Sequence, residues 1–133
     1  MKKILIIGGS GFIGSRLIYS LLNKDILIIN FDLINSNIKS KKIINIIGDI
    51  REKLDFNKLP IDVDAIYILA AIHADKIKDY EAYYSTNHIG VKNIINHSIE
   101  FNIENIIFFS SAAVYGESFA NVNEYTELNP END

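Results

Sequence analysis

The sequence predicts an α/β fold in which helices cover both faces of a parallel β-sheet. Short apolar runs rich in isoleucine recur along the 133 residues and alternate with segments of helical periodicity. The runs are apolar on both faces, as is typical of strands that lie between two layers of helices. Strands that alternate with helices also favour right-handed crossovers and parallel pairing. We therefore expect one domain, spanning residues 1–133.

The first three elements carry clear signals. A strand is predicted over residues 3–7, where four apolar residues follow Lys3. A helix is predicted over residues 11–23, because apolar residues recur along it at helical spacing. These residues are Ile13, Leu17, Ile18, Leu21 and Leu22. The next strand covers residues 26–31 and ends at Asp32.

The later elements continue the same alternation. Residues 33–42 are rich in Asn, Ser and Lys and are predicted to form a surface loop. The further strands are predicted at 43–47, 65–70 and 105–109, with a short helix or turn at 51–57 and a long helical segment at 79–101. The polar residues 110–133 are predicted to form a loop.

Composition excludes several classes of protein. The formal net charge of -4 gives no indication of a nucleic-acid surface, and no apolar run is long enough to span a membrane. There is no cysteine, and the three histidines (His73, His88 and His97) are scattered, so we expect neither disulfides nor a metal site. We expect His88 and His97 to be surface or hydrogen-bonded residues. A cytoplasmic protein is expected.

The glycine-rich stretch after the first strand is the strongest single motif. Gly8, Gly11 and Gly14 stand between a predicted strand and a predicted helix, which is the context of a dinucleotide-binding turn. Gly8 can take a tight turn, Gly11 can let a pyrophosphate approach the backbone, and Gly14 can let the helix pack closely. Phe12 and Ile13 begin that helix, whose N–H groups attract phosphate. A purely structural glycine turn is the alternative.

Asp32 stands where the dinucleotide motif requires a carboxylate, at the end of the second strand and about 20 residues beyond the glycines. There it can accept hydrogen bonds from the ribose hydroxyls of NAD and repel the additional phosphate of NADP. An aspartate that merely forms a turn is the alternative. The alternative of a site for the 2′-phosphate of NADP stays open, because three lysines occur in the following loop: Lys39, Lys41 and Lys42.

Five motifs occur in the order seen in the extended short-chain dehydrogenases/reductases. They are Gly8-Gly9-Ser10-Gly11-Phe12-Ile13-Gly14, Gly48-Asp49-Ile50-Arg51, Leu69-Ala70-Ala71, Asn87 with Gly90, and Ser110-Ser111-Ala112-Ala113-Val114-Tyr115-Gly116. The chain resembles this superfamily, and more narrowly its NAD-dependent sugar-nucleotide epimerase/dehydratase branch, over essentially its whole length. The resemblance implies a Rossmann-type parallel sheet that is truncated after the fifth strand.

The resemblance also implies roles for individual residues. Asp49 and Ile50 would contact the adenine of NAD. Leu69, Ala70 and Ala71 would line the cofactor where the fourth strand ends, and the small alanines would leave room for the ribose and pyrophosphate. Asn87 would lie near the nicotinamide half, or else make a structural hydrogen bond. Ser111 would be the catalytic serine that hydrogen-bonds the substrate oxygen, or else a serine that caps a turn. His73 occupies a position where some sugar epimerases carry a basic residue near the cofactor, or else it is a solvent-facing residue.

The same resemblance narrows the chemistry. Sugar-nucleotide dehydratases usually carry Thr-Asp-Glu where this chain has Ala112-Ala113, which disfavours a dehydratase. We expect an epimerase similar to UDP-glucose 4-epimerase, acting on a nucleotide sugar and homodimeric at full length. Another reductase or decarboxylase of the superfamily, and a non-catalytic NAD-binding module, remain as alternatives.

The family's catalytic base is a tyrosine followed four residues later by a lysine. None of the seven tyrosines meets that requirement, and the base of the family would fall at or beyond Asp133. The segment from Glu124 through Pro130 to Asp133 resembles the lead-in to that tyrosine. We therefore expect an N-terminal fragment without a substrate domain, which shows no epimerase turnover and binds NAD weakly. Measurable turnover with a nucleotide sugar would contradict this expectation.

Overall fold

The computed structural model describes residues 1–73, 79–116 and 121–130. Within them five strands form one parallel sheet. The strands are β1 (Lys2–Ile7), β2 (Ile26–Asp32), β3 (Ile43–Ile47), β4 (Ala65–Ile68) and β5 (Ile106–Phe108). The α-helices are α1 (Phe12–Leu21), α2 (Tyr80–Tyr83) and α3 (Val91–Glu100). Two 3₁₀ turns cover Lys53–Lys58 and Ala112–Tyr115, and a π-helical segment covers Tyr84–Gly90.

The strand order β3-β2-β1-β4-β5 places β1 at the centre of the sheet. Ile7, the last residue of β1, is paired with Phe31 of β2 on one side and with Ile68 of β4 on the other. The chain runs outward from β1 to β3 and then returns to the other side of β1. In open sheets of this kind, ligands bind at the carboxyl ends of the strands where the order reverses. The relevant crevice therefore lies beyond Ile7.

Helical elements cover both faces of the sheet, which confirms the predicted layers. On one face, Ile18 of α1 is buried against alternate residues of the central strands, Ile4, Ile6 and Ile28. On the opposite face, α3 and the 3₁₀ turn at Lys53–Lys58 pack on a larger cluster. Its fully buried members are Leu5, Ile7, Phe31, Ile66, Ile68 and Ile94. Alternating residues of one strand thus supply two separate cores.

The predicted bounds hold for most elements, with three informative differences. β4 ends at Ile68, so Ala70 belongs to the loop that leaves the sheet. α1 ends at Leu21. Its buried face does not include Ile13, which belonged to the predicted apolar stripe but whose side chain is 52% exposed. The buried residues of α1 are Gly14 and Ile18, one helical turn apart. Ile13 precedes Gly14 by about 100° of helical rotation and so lies off that face.

The long helical segment predicted at 79–101 is present but is not a uniform α-helix. The Asp79 side chain accepts a hydrogen bond from the Ala82 N–H and caps its start. The π-helical segment Tyr84–Gly90 then interrupts the α-helical pattern before α3 begins. Such segments widen a helix by one residue and occur often at functional sites. Gly90 at its end is buried. It packs so closely on Ile50 that a Cβ at this position would lie 2.5 Å from Cγ1 of Ile50.

His97 on α3 is buried, which corrects the expectation that it is a surface or fully hydrogen-bonded residue. Its ring lies 5.9 Å from the Phe56 ring and 4.8 Å from the Phe101 ring, measured between centroids. Within the described part of the chain its Nε2 atom has no hydrogen-bond partner. Burial lowers the pKa of His97, although a hydrogen bond with the Pro60 backbone opposes the effect. His88 is exposed and stacks on Tyr84.

We expect the free energy of unfolding to fall as the pH drops from about 7.5 to 5.5, because the unfolded chain binds the His97 proton more tightly than the folded chain does. Urea denaturation at several pH values measures this slope. His97→Phe keeps a ring between Phe56 and Phe101 and should reduce the slope of the free energy of unfolding against pH. The matched control His88→Phe alters an exposed histidine and should leave the slope unchanged. An equal slope in the wild type and in His97→Phe would contradict the assignment.

Candidate cofactor site

The turn that leaves β1 lies directly against the loop that leaves β4. Gly8 has a φ of 85°, a left-handed conformation that side chains rarely adopt. A Cβ at Gly8 would lie 2.6 Å from the backbone nitrogen of Ala70. The predicted tight turn at Gly8 is therefore present. Its glycine is required both by backbone conformation and by the close approach of a neighbouring strand end.

The start of α1 packs on that same turn. A Cβ at Gly14 would overlap the carbonyl oxygen of Gly8 and lie 2.5 Å from Cα of Gly9. The predicted close packing is confirmed, but its partner is the glycine turn rather than β1 itself. No side chain caps the helix, and the first helical bond runs from Ser15 N–H to the carbonyl of Gly11. The N–H groups of the first turn are thus without a side-chain acceptor.

Gly11 differs from its neighbours because space is open beside it. A Cβ at Gly11 would have only the Gly8 carbonyl oxygen within 4 Å, at 3.4 Å. Its φ of -72° is available to any residue, so neither strain nor packing accounts for a glycine here. Phe12 and Ile13, which follow it, are exposed at the helix start. Open space beside an uncapped helix N-terminus, with its free N–H groups and positive dipole end, is the environment that favours a phosphate group.

Asp32 lies beside the glycine turn, as predicted. Its Oδ2 atom accepts a hydrogen bond of 2.9 Å from the N–H of Ser10. Its Oδ1 atom accepts a longer one, 3.4 Å, from the N–H of Ile34. The carboxylate is half-buried and keeps lone pairs free for hydroxyl donors. Of the three loop lysines, Lys42 is directed elsewhere, since its Nζ donates to the carbonyl groups of Leu22 and Lys24.

Asp49 and Ile50 follow β3 and are already engaged by the protein. The Asp49 carboxylate accepts from both the side chain and the backbone N–H of Arg51, and these hydrogen bonds lower its pKa. It is therefore ionised at neutral pH. Ile50 is buried beneath Gly90, and its carbonyl accepts from Asn93 at 2.9 Å. The predicted contacts of both residues with adenine stay predictions.

The loop after β4 is held by a single amide side chain. The Oδ1 atom of Asn87 accepts from the Ile72 N–H at 2.8 Å, and its Nδ2 atom donates to the Ile72 carbonyl at 2.9 Å. The structural hydrogen bond considered for Asn87 is thus present, in a paired form. Leu69 and Ala70 are partly buried on opposite faces of the sheet, and Ala71 is exposed. Asn87 therefore fixes the backbone immediately after these three residues.

Ser111 lies beyond β5 at the same carboxyl edge. Its Oγ atom accepts from the Ala113 N–H at 3.2 Å and caps the 3₁₀ turn Ala112–Tyr115. The side chain is exposed, and that hydrogen bond leaves the hydroxyl proton free to donate. The capping role considered for this serine is observed, and it is compatible with a role toward a ligand. His73 is also exposed.

Two residues at the site were missed in the sequence. Gly9 is close-packed, since a Cβ there would lie 2.9 Å from Cδ1 of Ile18 and would overlap Oδ1 of Asn30. Asn30 is fully buried in β2, directly beneath the glycine turn. The available signal was an asparagine inside an apolar run, Ile28-Ile29-Asn30-Phe31. A polar side chain in a central strand implies a hydrogen-bonding partner nearby.

Two negative findings apply to residues 1–73, 79–116 and 121–130. No group of three or more His, Cys, Asp or Glu side chains there is arranged to hold a metal ion. No helix in those ranges is long and apolar enough to cross a membrane. The last residues of the predicted lead-in, 131–133, lie outside the described part of the chain.

The sequence matches the NAD dependent epimerase/dehydratase family over residues 4–133. The chain belongs to this family. That membership confirms the resemblance on which the predicted fold and chemistry depended. It also places the glycine turn, Asp32 and Ser111 in a chain whose relatives include many sugar epimerases.

Similar proteins include the N-acetyl-alpha-D-glucosaminyl-diphospho-ditrans,octacis-undecaprenol 4-epimerase of Escherichia coli O157:H7. It is 34% identical over 130 residues, which cover 98% of this chain and 38% of that protein. A bifunctional UDP-glucose and UDP-xylose 4-epimerase of Pisum sativum is 31% identical, with 87% and 38% covered. This chain thus spans about two fifths of the length of these curated relatives.

Solved structures share the fold. The UDP-Glc/GlcNAc 4-epimerase of Campylobacter jejuni superposes with a TM-score of 0.85 at 28% identity, covering 98% of this chain and 44% of that one. The enzyme WbmH of Bordetella bronchiseptica, solved in complex with NAD⁺, gives a TM-score of 0.86 at 26% identity, with 99% and 47% covered. The predicted Rossmann-type fold is therefore confirmed.

Gly14→Ala and Gly11→Ala should separate packing from open space at this turn. Gly14→Ala forces backbone apart and should lower the free energy of unfolding by about 1–3 kcal/mol. The methyl group added in Gly11→Ala meets only the Gly8 carbonyl oxygen, at 3.4 Å. This variant should change the free energy of unfolding by less than about 1 kcal/mol. Urea denaturation compares the two matched variants. Equal losses would show that the close approach at Gly14 is not what holds α1 in place.

Proposed function

We propose that this chain is the NAD-binding part of a nucleotide-sugar 4-epimerase related to the UDP-glucose 4-epimerases. One observation carries the proposal: an uncapped helix start and an open glycine cradle stand beside a carboxylate at the reversal point of the sheet. The relatives named above are epimerases of nucleotide or lipid-linked sugars, and WbmH was solved with NAD⁺. Membership of an NAD dependent family supports the same cofactor here.

In this proposal the glycine turn binds the pyrophosphate of NAD. Gly11 supplies the space, and the N–H groups at Phe12, Ile13 and Gly14 supply donors together with the positive end of the helix dipole. Gly8 keeps the turn tight against Ala70, so that a ligand can lie between the ends of β1 and β4. This is the arrangement in which a backbone can approach a phosphate without a side chain intervening.

Asp32 is proposed to accept hydrogen bonds from the adenosine ribose. Because the Ser10 N–H occupies part of Oδ2 and the Ile34 N–H only weakly engages Oδ1, lone pairs remain for two hydroxyl groups. The same negative charge would oppose a 2′-phosphate, so we propose NAD rather than NADP. Asp49 and Ile50 are proposed to flank the adenine, beside Arg51, whose hydrogen bonds lower the pKa of the Asp49 carboxyl.

The remaining residues are proposed to serve the reacting end. Leu69, Ala70 and Ala71 would line the cofactor at the end of β4, and Asn87, near the nicotinamide half, would hold that loop in place through Ile72. Bound NAD supplies a reversible hydride acceptor, which a 4-epimerase needs in order to invert a carbinol carbon. Ser111, exposed at the same edge with a free hydroxyl proton, is proposed to donate a hydrogen bond to the substrate oxygen.

A homodimer and a cytoplasmic location are proposed for the whole protein together with a nucleotide-sugar substrate. Other reductases or decarboxylases of the superfamily would use the same residues for the cofactor. Ala112-Ala113, in place of the Thr-Asp-Glu of the dehydratases, favours chemistry without elimination of water. Assay of the whole protein with UDP-sugars would distinguish epimerisation from net oxidation or reduction.

NAD should bind more tightly than NADP to this chain, with weak affinity for both, as measured by isothermal titration calorimetry. Asp32→Ala should weaken NAD binding by roughly tenfold and remove most of the preference, since it deletes charge-assisted hydrogen bonds. Asp25→Ala makes the same chemical change at an exposed position before β2 and should have no effect. Equal or tighter binding of NADP by the wild type would refute the role of Asp32. Absence of NAD binding would refute the proposed cofactor function.

Gly11→Ala tests the phosphate cradle separately. The added methyl group lies in space that the fold leaves open, so the variant should remain folded but bind NAD at least about tenfold more weakly. Gly116→Ala is unsuitable as a control because its φ is positive, whereas Ser20→Ala on the exposed part of α1 is suitable. Unchanged NAD affinity in Gly11→Ala would exclude the pyrophosphate from this cradle.

A further inference from the structure

A connected set of polar groups, centred on the buried Asn30, lies beneath the glycine turn. Asn30 is completely buried in β2, and its Nδ2 atom donates to Ser10 Oγ at 3.0 Å and to Asn45 Oδ1 at 2.9 Å. Its Oδ1 atom faces Gly9 and has no hydrogen-bond partner within the described residues. A buried acceptor without a partner destabilises the fold. Leucine or isoleucine would fill the same space without that penalty, so packing alone does not account for Asn30.

Ser10 connects this asparagine to Asp32. The Ser10 hydroxyl accepts from Asn30 and donates to the carbonyl of Ile34 at 2.8 Å. The N–H of the same residue donates to Asp32 Oδ2 at 2.9 Å. One residue of the glycine turn is therefore bonded to β2, to the carboxylate at its end and to the loop beyond it. Displacement of Ser10 would alter all of these contacts together.

Asn45 on β3 completes the set from the other side. Its Oδ1 atom accepts from Asn30 and also from the N–H of Ser36, at 3.0 Å. The loop after Asp32 is thus fixed at Ile34 through Ser10 and at Ser36 through Asn45. Both of these bonds lead back to the single Nδ2 group of Asn30. Asp32 shortly precedes both of these fixed points in the chain.

We propose that Asn30 is a positioning residue that orients the Asp32 carboxylate toward the ribose and thereby sets the preference for NAD over NADP. The proposal rests on the proposed function. A carboxylate held by a fixed N–H presents its remaining lone pairs in one orientation, which lowers the entropy lost when ribose hydroxyls bind. The same restraint prevents the carboxylate from turning away from a 2′-phosphate. Without Asn30, Ser10 would lose one of its restraints, and discrimination would decrease.

Hydrogen exchange of the free chain tests the positioning without any ligand. Asn30→Leu keeps the number and branching of the side-chain heavy atoms and removes the unpartnered acceptor, so the fold should persist. The Ser10 amide, which donates to Asp32, should exchange about fivefold faster in this variant, while the Leu5 amide in β1 should keep its wild-type rate. An unchanged Ser10 rate would overturn the proposal. If Asn30→Leu does not fold, Ser10→Ala removes the same hydrogen bond at a less buried position and gives the same readout.

Calorimetric titration with NAD and NADP tests the consequence for specificity. Asn30→Leu and Ser10→Ala should each reduce the ratio of NAD to NADP affinity by about fivefold, and the double variant should reduce it no further. Ser20→Ala removes a hydroxyl that donates to the Leu17 carbonyl of α1, and it should leave the ratio unchanged. Additive losses, or an unchanged ratio in Asn30→Leu, would overturn the proposal. A wild type that binds no NAD would refute the cofactor function, and the exchange rates would still decide the positioning role.

Discussion

The start of α1 can lie against the turn after β1 only because neither partner has a side chain at the contact. Gly14 meets the backbone of Gly8 and Gly9, and Gly8 in turn meets the backbone of Ala70 after β4. Two strand ends and a helix start are thereby brought together without intervening atoms. The uncapped N–H groups, the open space at Gly11 and the position of Asp32 all depend on that contact. Larger residues at Gly8 or Gly14 would separate the elements that form the site.

Polar side chains then fix what the glycines bring together. Ser10 bonds the turn to Asp32, and Asn87 bonds the π-helical segment to the loop after β4. Ser10 and Asn87 each both donate and accept hydrogen bonds, through short groups with few rotatable bonds. Loops at the edge of a sheet are otherwise its least stable parts, since their backbone is exposed to water. Here the loops on both sides of β1 are held by side chains from regular elements, and the crevice between them has a defined shape.

Most of the fold was predictable because apolar periodicity reports burial directly. The strand bounds of β2 and β3 and the role of Gly8 followed from local sequence. Ile13 was placed on the buried face because periodicity does not reveal that the first turn of α1 packs on the glycine turn, through Gly14, rather than on the sheet. The burial of His97 depends on Phe56 and Phe101, which come from different segments. The contact with Phe56 joins distant parts of the chain and has no signature in a local window, whereas Phe101 lies one helical turn beyond His97.

At the candidate site, too, the sequence predicted where residues lie but not which groups they bond. Sequence motifs placed Asp32, Asn87 and Ser111 at the correct edge, yet their hydrogen bonds to Ser10, Ile72 and Ala113 became known only from the structure. Those bonds change what each residue can do. Asn87 uses one lone pair and one N–H on the backbone of Ile72, and both of these bonds restrain the loop after β4. Asp32 and Ser111 each use only part of their capacity and can bind a ligand directly. The division of roles at this edge therefore follows from which lone pairs and protons the fold leaves free.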